Sequence, residues 1–203
     1  MTGLFVTFEG VDRAGKTTQA QLLRDALGDR AVAVREPGGT PAGERIREIL
    51  KDGSIELDAR AEALLFAAAR AELVARVIEP ALEAGKVVVS DRYLDSSLAY
   101  QGEGRGLGVD EVKRINAFAT GALEPDITFL LELELGEAAA RGGEADRFED
   151  EGRALQEQVR DAYDRLAREN PGRWQRIDAS RPADEVHADV LAVVERALGG
   201  VAA

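Results

Sequence analysis

Apolar residues in this chain fall into short runs that alternate with longer stretches of helical spacing. Leu4 to Phe8 is an apolar run bounded by glycines, the pattern of a strand covered on both faces. From Lys16 apolar residues recur at Ala20, Leu23 and Leu27 before Gly28, which predicts a helix over 16–27. Ala31 to Val34 reads as a second strand, "EPGGTP" interrupts the chain, and Ala42 to Leu50 is helical. A long helix starts at Asp58 and reaches about Glu83, with Pro80 bending it and Gly85 stopping it. Its main apolar stripe is Ala61, Leu64, Leu65, Ala68, Leu73 and Val77. "KVVVS" (Lys86 to Ser90) is a third strand, followed by a helix near Leu94 to Tyr100 and a flexible loop, "QGEGRGLG". Asp110, near an N-cap, opens a helix to Thr120, and Ile127 to Leu133 is a fourth strand. Beyond the polar, Gly-containing "ARGGEADRFEDEG", Leu155 to Ala167 is helical, Trp174 to Ile177 a fifth strand and Ala183 to Leu198 the last helix.

Strands alternating with helices predict an α/β fold, a five-stranded parallel sheet with helices on both faces. With 203 residues, no internal repeat and no long linker, residues 1–203 read as a single domain. Ligands of such sheets bind beyond the carboxyl ends of the strands, and the polar, Gly-rich segments follow the first four strands.

Composition narrows the function. The net charge of −12 disfavours nucleic acid, which needs Lys and Arg in excess, but leaves room for a small anion held by a few local cations. With no cysteine there is no disulfide, thiol catalysis or Cys-based metal site. The start "MTGLFVTFEG" has no basic region or long apolar run, and no apolar run could span a bilayer, so the expected location is cytoplasmic, with no membrane partner.

Gly10-Val11-Asp12-Arg13-Ala14-Gly15-Lys16-Thr17 fits the pattern G-x-x-x-x-G-K-[ST], between a strand and a helix. The glycines let successive N–H groups face phosphate oxygens, and the helix that begins here adds its positive end. Lys16 would reach the β- and γ-phosphates of a nucleotide, and the Thr17 hydroxyl would ligate Mg²⁺. Asp91, at the end of "VVVSD", stands where a carboxylate would hold that Mg²⁺, with Arg92 beside it for a second phosphate; the plainer reading of Asp91 is a helix cap. "REPGGT" (Arg35 to Thr40) suits a tight turn. Phe66 and Arg70 are i, i+4 neighbours on the long helix, able to stack a base and bond its carbonyl oxygen; the plainer reading is a core Phe with an exposed Arg. His187 lies far from every motif, and Trp174 reads as packing.

The runs "FEGVDRAGKTTQ", "REPGGT", "LLFAAAR", "SDRYLDSSLAYQG", "EPDITFLLEL", "RGGEADRFE" and "IDAS" occur in an order that resembles the thymidylate kinases, P-loop enzymes that move the ATP γ-phosphate to dTMP. The resemblance spans the chain and implies the P-loop NTPase three-layer sandwich, Mg²⁺ as cofactor, ATP and dTMP as partners, and a homodimer. Carried over by position, Gly10 to Thr18 hold ATP phosphates, with Arg181 of the "DASR" turn bordering adenine. Asp12 accepts from the dTMP 3′-hydroxyl, Phe66 stacks on thymine, Arg70 bonds its O4 and Ser97 faces N3. Tyr100, with Gln101 beside it, crowds the 2′ position, and Arg92 clamps the dTMP phosphate, with Glu36, Pro37 and Arg47 nearby. Thr17 and Asp91 serve the metal, and residues from about Glu137 to Asp150 form a lid over ATP. The catalytic set is then Lys16, Arg13, Asp91, Arg141 and Arg147. Some members of the family carry the catalytic arginine in the phosphate loop and others in the lid; this chain has both, and Arg13 is taken as the main cation.

Two other classes stay open on the residues alone. One is another pyrimidine (deoxy)nucleotide kinase; the presence of Phe66, Arg70 and Ser97 favours a base with a carbonyl at C4. The other is a nucleotide-dependent switch, against which the acceptor-side motifs count. An inactive P-loop scaffold is disfavoured by intact Lys16, Thr17 and Asp91.

Overall fold

The computed structural model describes residues 3–142 and 152–201. Five parallel strands form one sheet in the order β2-β3-β1-β4-β5: β1 Leu4–Glu9, β2 Ala31–Arg35, β3 Val87–Asp91, β4 Ile127–Glu132 and β5 Trp174–Asp178. Alternate residues of β1 feed two cores. Leu4, Val6 and Phe8 face α1 (Lys16–Leu27) and α9 (Ala183–Val201), with Phe8 stacked on Phe129 of β4 at 5.2 Å. Phe5 faces the other way, edge-on to Tyr93 at 4.8 Å, in a core shared with α8 (Arg153–Glu169). On that second face Thr7 donates to Thr128 across the strands at 3.0 Å, so even its polar positions are paired. The expected three-layer α/β arrangement is therefore present. Trp174 is buried in the second core, 6.4 Å from Tyr163, as packing requires.

The helices begin where local chemistry starts them. Thr40 accepts from the N–H of Gly43 at 3.0 Å and Pro41 takes the first position of α2 (Pro41–Lys51). Asp58 accepts from the N–H of Arg60 at 2.9 Å ahead of α3 (Ala59–Leu73). The helical path continues through a widened π-helical stretch, Val74–Ile78, into α4 (Glu79–Glu83). The widening sits just before Pro80, which has no N–H to give and crowds the carbonyl four residues back; the N–H of Glu79 bonds Val74 instead.

Two expectations are corrected. The face of α3 turned inward is Glu62, Ala63, Ala67, Ala69, Arg70 and Leu73, whereas Leu64 and Ala68 of the expected stripe are exposed. The two inward charges have partners that make their burial tolerable, described below. "QGEGRGLG" is not simply a loop either. After α5 (Leu94–Ser97) a second π-helical stretch runs from Leu98 to Gly104, closed by Arg105 N–H on the Tyr100 carbonyl at 2.8 Å. A Cβ on Gly104 would lie 2.6 Å from Leu155 Cδ1 of α8, so the glycine allows close packing rather than freedom. The remaining helices are α6 (Val109–Thr120) and α7 (Leu135–Ala140). Among the described residues, no helix is long and apolar enough to cross a membrane.

Candidate active site

The carboxyl ends of β1, β2 and β3 open into a cleft of about 270 Å³. Seven basic side chains line it (Arg13, Lys16, Arg35, Arg47, Lys51, Arg70 and Arg92) against three acids (Asp12, Glu36 and Asp91). A chain with net charge −12 thus presents a locally positive cleft, the field an anionic ligand needs. Pro37, Phe66, Ser97, Tyr100 and Gln101 complete most of the remaining wall.

On one side lies the loop from Gly10 to Thr17. Gly10 has φ 139°, and a Cβ there would sit 2.6 Å from the Leu131 carbonyl oxygen, so only glycine lets the chain turn away from β4 at this point. Arg13 adopts a left-handed φ of 64° and Arg92 one of 70°. Among the described residues only Ala122 joins them as non-glycine residues with positive φ, and such backbone costs about 1–3 kcal/mol each. Two cleft arginines therefore sit on strained backbone that surrounding contacts hold in place.

Lys16 is buried and donates to the carbonyls of Gly10 at 3.1 Å and Val11 at 2.7 Å. Burial, with Arg92 nearby, pushes its pKa down to about 8, although Asp12, Asp91 and Glu9 pull the other way. Thr17 Oγ1 donates to Asp91 Oδ2 at 2.5 Å. That contact sets aside the helix-cap reading of Asp91, because α5 follows Tyr93 with no side-chain cap. Thr18 is exposed on the first turn of α1.

On the opposite side Arg70 is 1% exposed, which overturns the plainer expectation of an exposed arginine. Its Nε donates to Glu36 Oε2 at 2.7 Å and its Nη2 to the Tyr93 carbonyl at 3.1 Å; Nη1 donates to Ser97 Oγ at 3.1 Å and also to Asn116 Oδ1. Its Nη2 also pairs with Glu36 at 2.5 Å. Burial raises the Glu36 pKa, while Arg70 works against that rise, and Glu36 Oε1 is a buried acceptor with no partner. Phe66 is half-buried, one turn before Arg70 on α3. Gln101 is buried and donates to Glu62 Oε1 at 2.9 Å; Arg105 Nη2 holds Glu62 Oε2 at 3.0 Å. Arg47 donates to the Pro37 carbonyl at 2.8 Å.

Asp12 joins the two sides. Arg92 Nη2 donates to its Oδ1, and Oδ2 accepts from Tyr100 at 3.0 Å and from Gln156 at 2.8 Å. Burial would raise the Asp12 carboxyl, but Arg92, Lys16 and these hydrogen bonds outweigh it and hold the pKa below its usual value. Arg92 also lies over the Tyr100 ring at 5.2 Å.

Arg141, just past α7, is exposed but lies over the phosphate loop, donating to the carbonyls of Arg13 at 3.3 Å and Ala179 at 2.5 Å. Arg181 turns instead to Asp189 at 2.5 Å and to the Asp178 carbonyl at 3.3 Å. Arg147 and residues 143–150 of the expected lid lie outside the described residues. Arg35, Lys51 and Ser96, which also line the cleft, and Gln156, Tyr163 and Glu9 behind it carry no individual role on the sequence alone, although Arg35, Ser96 and Glu9 fall within quoted motifs. Ser96 stands beside Ser97 in a quoted motif, but Gln156 and Tyr163 read only as positions on an amphipathic helix and offer no local signal.

The family model for thymidylate kinase matches residues 8–190. The chain is 45% identical over 208 residues to the thymidylate kinase of Lactobacillus helveticus, covering 98% of each chain. It is 49% identical to that of Symbiobacterium thermophilum over 201 residues, covering 96% of this chain and 94% of the relative. The crystal structure of thymidylate kinase from Ehrlichia chaffeensis superposes with a TM-score of 0.81 at 33% identity, covering 96% of this chain and all of that one.

Proposed function

We propose that this chain, which belongs to the thymidylate kinase family, transfers the γ-phosphoryl group of ATP to the phosphate of dTMP, giving ADP and dTDP on the way to dTTP. The observation that carries this reading is one cleft in which a phosphate loop meets a wall made of Phe66, Arg70 and Ser97.

An oxygen of the dTMP phosphate attacks the γ-phosphorus in line, and the bond to the β-γ bridging oxygen breaks as ADP leaves. The acceptor oxygen is already anionic, so no general base is required and positioning supplies most of the effect. Arg92, with Arg47 and the Glu36–Pro37 turn nearby, holds the acceptor phosphate. Phe66 stacks on thymine, Arg70 addresses O4 and Ser97 N3. Asp12 takes the 3′-hydroxyl, and Tyr100 beside Gln101 crowds the 2′ position. All five Arg70 donors are engaged in this structure, so bonding O4 means exchanging one existing partner. Gly10, Val11, Asp12, Arg13, Ala14, Gly15, Lys16, Thr17 and Thr18 take the ATP phosphates, with Arg181 at the adenine. Arg13 follows the charge of the moving phosphoryl group, assisted by Arg141 and Arg147 from a lid over residues 137–150 of this single domain.

Mg²⁺ fits the site: the Thr17 hydroxyl and Asp91 carboxylate are hard oxygen donors 2.5 Å apart at the foot of the phosphate loop. When bound, it would neutralise charge on the β- and γ-phosphate oxygens. The reading includes a cytoplasmic homodimer. Phe118 on α6 is 93% exposed and Leu64 on α3 55%, and α3 packs against both α6 and α2, which carries the exposed Ile49. These apolar side chains suit a second copy of the chain.

A coupled assay of ADP release with dTMP, dUMP, dCMP, AMP or no acceptor tests the reading. Turnover is expected with dTMP, weaker turnover with dUMP, and little with dCMP, whose C4 amino group would face a donor. Equal ADP release without acceptor would replace it with a nucleotide switch.

A further inference from the structure

Glu9, the last residue of β1, is fully buried directly beneath the cleft, yet nothing in the transfer described above uses it. Its two oxygens have separate tasks. Oε1 accepts from the backbone N–H of Tyr93 at 2.8 Å, the residue after Arg92. Oε2 accepts from Ser96 Oγ at 2.6 Å and from the Tyr163 phenol at 2.8 Å. Those same hydroxyls accept from Arg92: its Nη1 donates to Ser96 Oγ at 3.0 Å and to Tyr163 at 3.3 Å. Each hydroxyl therefore accepts an N–H from the guanidinium and donates its own O–H to the carboxylate.

We propose that Glu9 is a positioning residue for the acceptor: through Ser96 and Tyr163, and through the backbone after Arg92, it fixes the Arg92 guanidinium where the acceptor phosphate binds. This rests on the reading of Arg92 as the acceptor-phosphate clamp. The arrangement answers a specific problem. Arg92 stands on left-handed backbone with φ 70°, which a β- or γ-carbon disfavours, and its other nitrogen is drawn toward Asp12. Without the Ser96 and Tyr163 contacts, the guanidinium would be left to Asp12, Tyr100 and the Gly10 carbonyl, and the strained backbone would have a route to relax. A carboxylate supplies three acceptor contacts here, which an apolar residue cannot. It also faces charge from every neighbouring element: Asp95 and Arg92 from the β3–α5 segment, Lys16 from α1 and Arg173 ahead of β5. Burial and then Asp95 oppose its ionisation, so retaining a glutamate at this point favours function over ease of folding.

The test is dTMP and ATP binding by calorimetry, with melting curves, on full-length wild type, Glu9→Gln, Tyr163→Phe, Arg92→Ala and the Glu9→Gln/Arg92→Ala double variant. Glu9→Gln should weaken dTMP about tenfold, the cost of misplacing one charge-assisted hydrogen bond, and leave ATP within about threefold. Tyr163→Phe, which keeps the carboxylate, should weaken dTMP about threefold and carries the test if Glu9→Gln does not fold. In the Arg92→Ala background Glu9→Gln should have almost no further effect on dTMP. A full Glu9→Gln effect persisting without Arg92 would overturn the proposal, as would equal losses for ATP and dTMP alongside a lower melting temperature. Unchanged dTMP affinity in Arg92→Ala alone would instead remove the clamp reading, and the proposal with it.

Discussion

Arg70 and Arg141 flank the same cleft and are held in opposite ways. Arg70 is out of water, with every N–H engaged by Glu36, Ser97, Asn116 and Tyr93. Arg141 is exposed and rests on two backbone carbonyls, of Arg13 and Ala179. The same contrast separates the two sides more widely. The wall proposed to take the acceptor is built from charges paired inside the protein: Arg70 with Glu36, and Arg105 with the buried Glu62 that accepts from Gln101. The phosphate-loop side relies on backbone curvature, one buried lysine and side chains at the surface. A triphosphate can be gripped by any loop whose N–H groups converge, so that side needs little fixed side-chain structure. Telling one base from another needs donors and acceptors with few alternatives, and folding confines Arg70 to a fixed set of partners, one of which a base would replace.

The contrast breaks most visibly at the point where the sides share a function. Lys16→Ala removes the buried charge of the phosphate loop and Asp91→Ala the carboxylate facing Thr17; on the proposed roles each should abolish measurable transfer while circular dichroism and the melting curve stay native. Near-normal ADP production by either folded variant would displace the site from this cleft.

Next in size, Arg70→Ala leaves Glu36 buried and unpaired and should cost about 3–5 kcal/mol in denaturant unfolding. Arg141→Ala should change stability by less than about 0.5 kcal/mol, as for an exposed side chain. Equal costs would erase the distinction between a prebuilt wall and a surface rim.

Arg13→Ala should lower kcat by roughly 10²–10³-fold, as for loss of one preorganised donor, with smaller changes in KM for ATP and dTMP. Arg141→Ala should cost less on its own and more in the Arg13→Ala background, giving non-additive effects. A kcat unchanged in Arg13→Ala, with a lowered melting temperature, would reduce Arg13 to a packing role.

The last expected effect, bounded by the size of one pKa shift, concerns pH. Burial, then the neighbouring Asp95 charge, pushes the Glu9 pKa up to about 7 from 4.5. The folded state therefore holds this proton more tightly than the unfolded chain, and the associated stability is complete below pH 4.5 and lost as pH rises through 7. The loss amounts to about 3 kcal/mol at 1.4 kcal/mol per pH unit. Glu9→Gln cannot ionise, so its stability relative to wild type should improve by up to about that amount between pH 4.5 and pH 8. Unfolding curves at the two pH values measure it; a pH-independent difference would mean Glu9 titrates near its ordinary value.

What the amino-acid sequence determines by itself is whatever depends on neighbours along the chain. Strand and helix order follow from the periods of apolar residues, and the phosphate loop from glycines spaced within eight positions, because backbone curvature is a local property. The pairing of Phe66 with Arg70 is likewise set by one helical turn. Tertiary structure decides which side of α3 turns inward. By hydropathy Leu64 belongs in the core and Arg70 in water, and the structure reverses them. Whether a charge can be buried depends on partners, and those of Arg70 and Glu62 arrive from 34 and 39 residues away. The glycines of "QGEGRGLG" read as freedom until Leu155 of α8 is placed against Gly104. Glu9 is the extreme case: in sequence it is an acid closing an apolar strand, and its setting is complete only when Tyr163, 154 residues on, donates to it. Periodicity is written in adjacent residues; the free energy of a buried charge is a sum over groups that only the completed fold brings within reach.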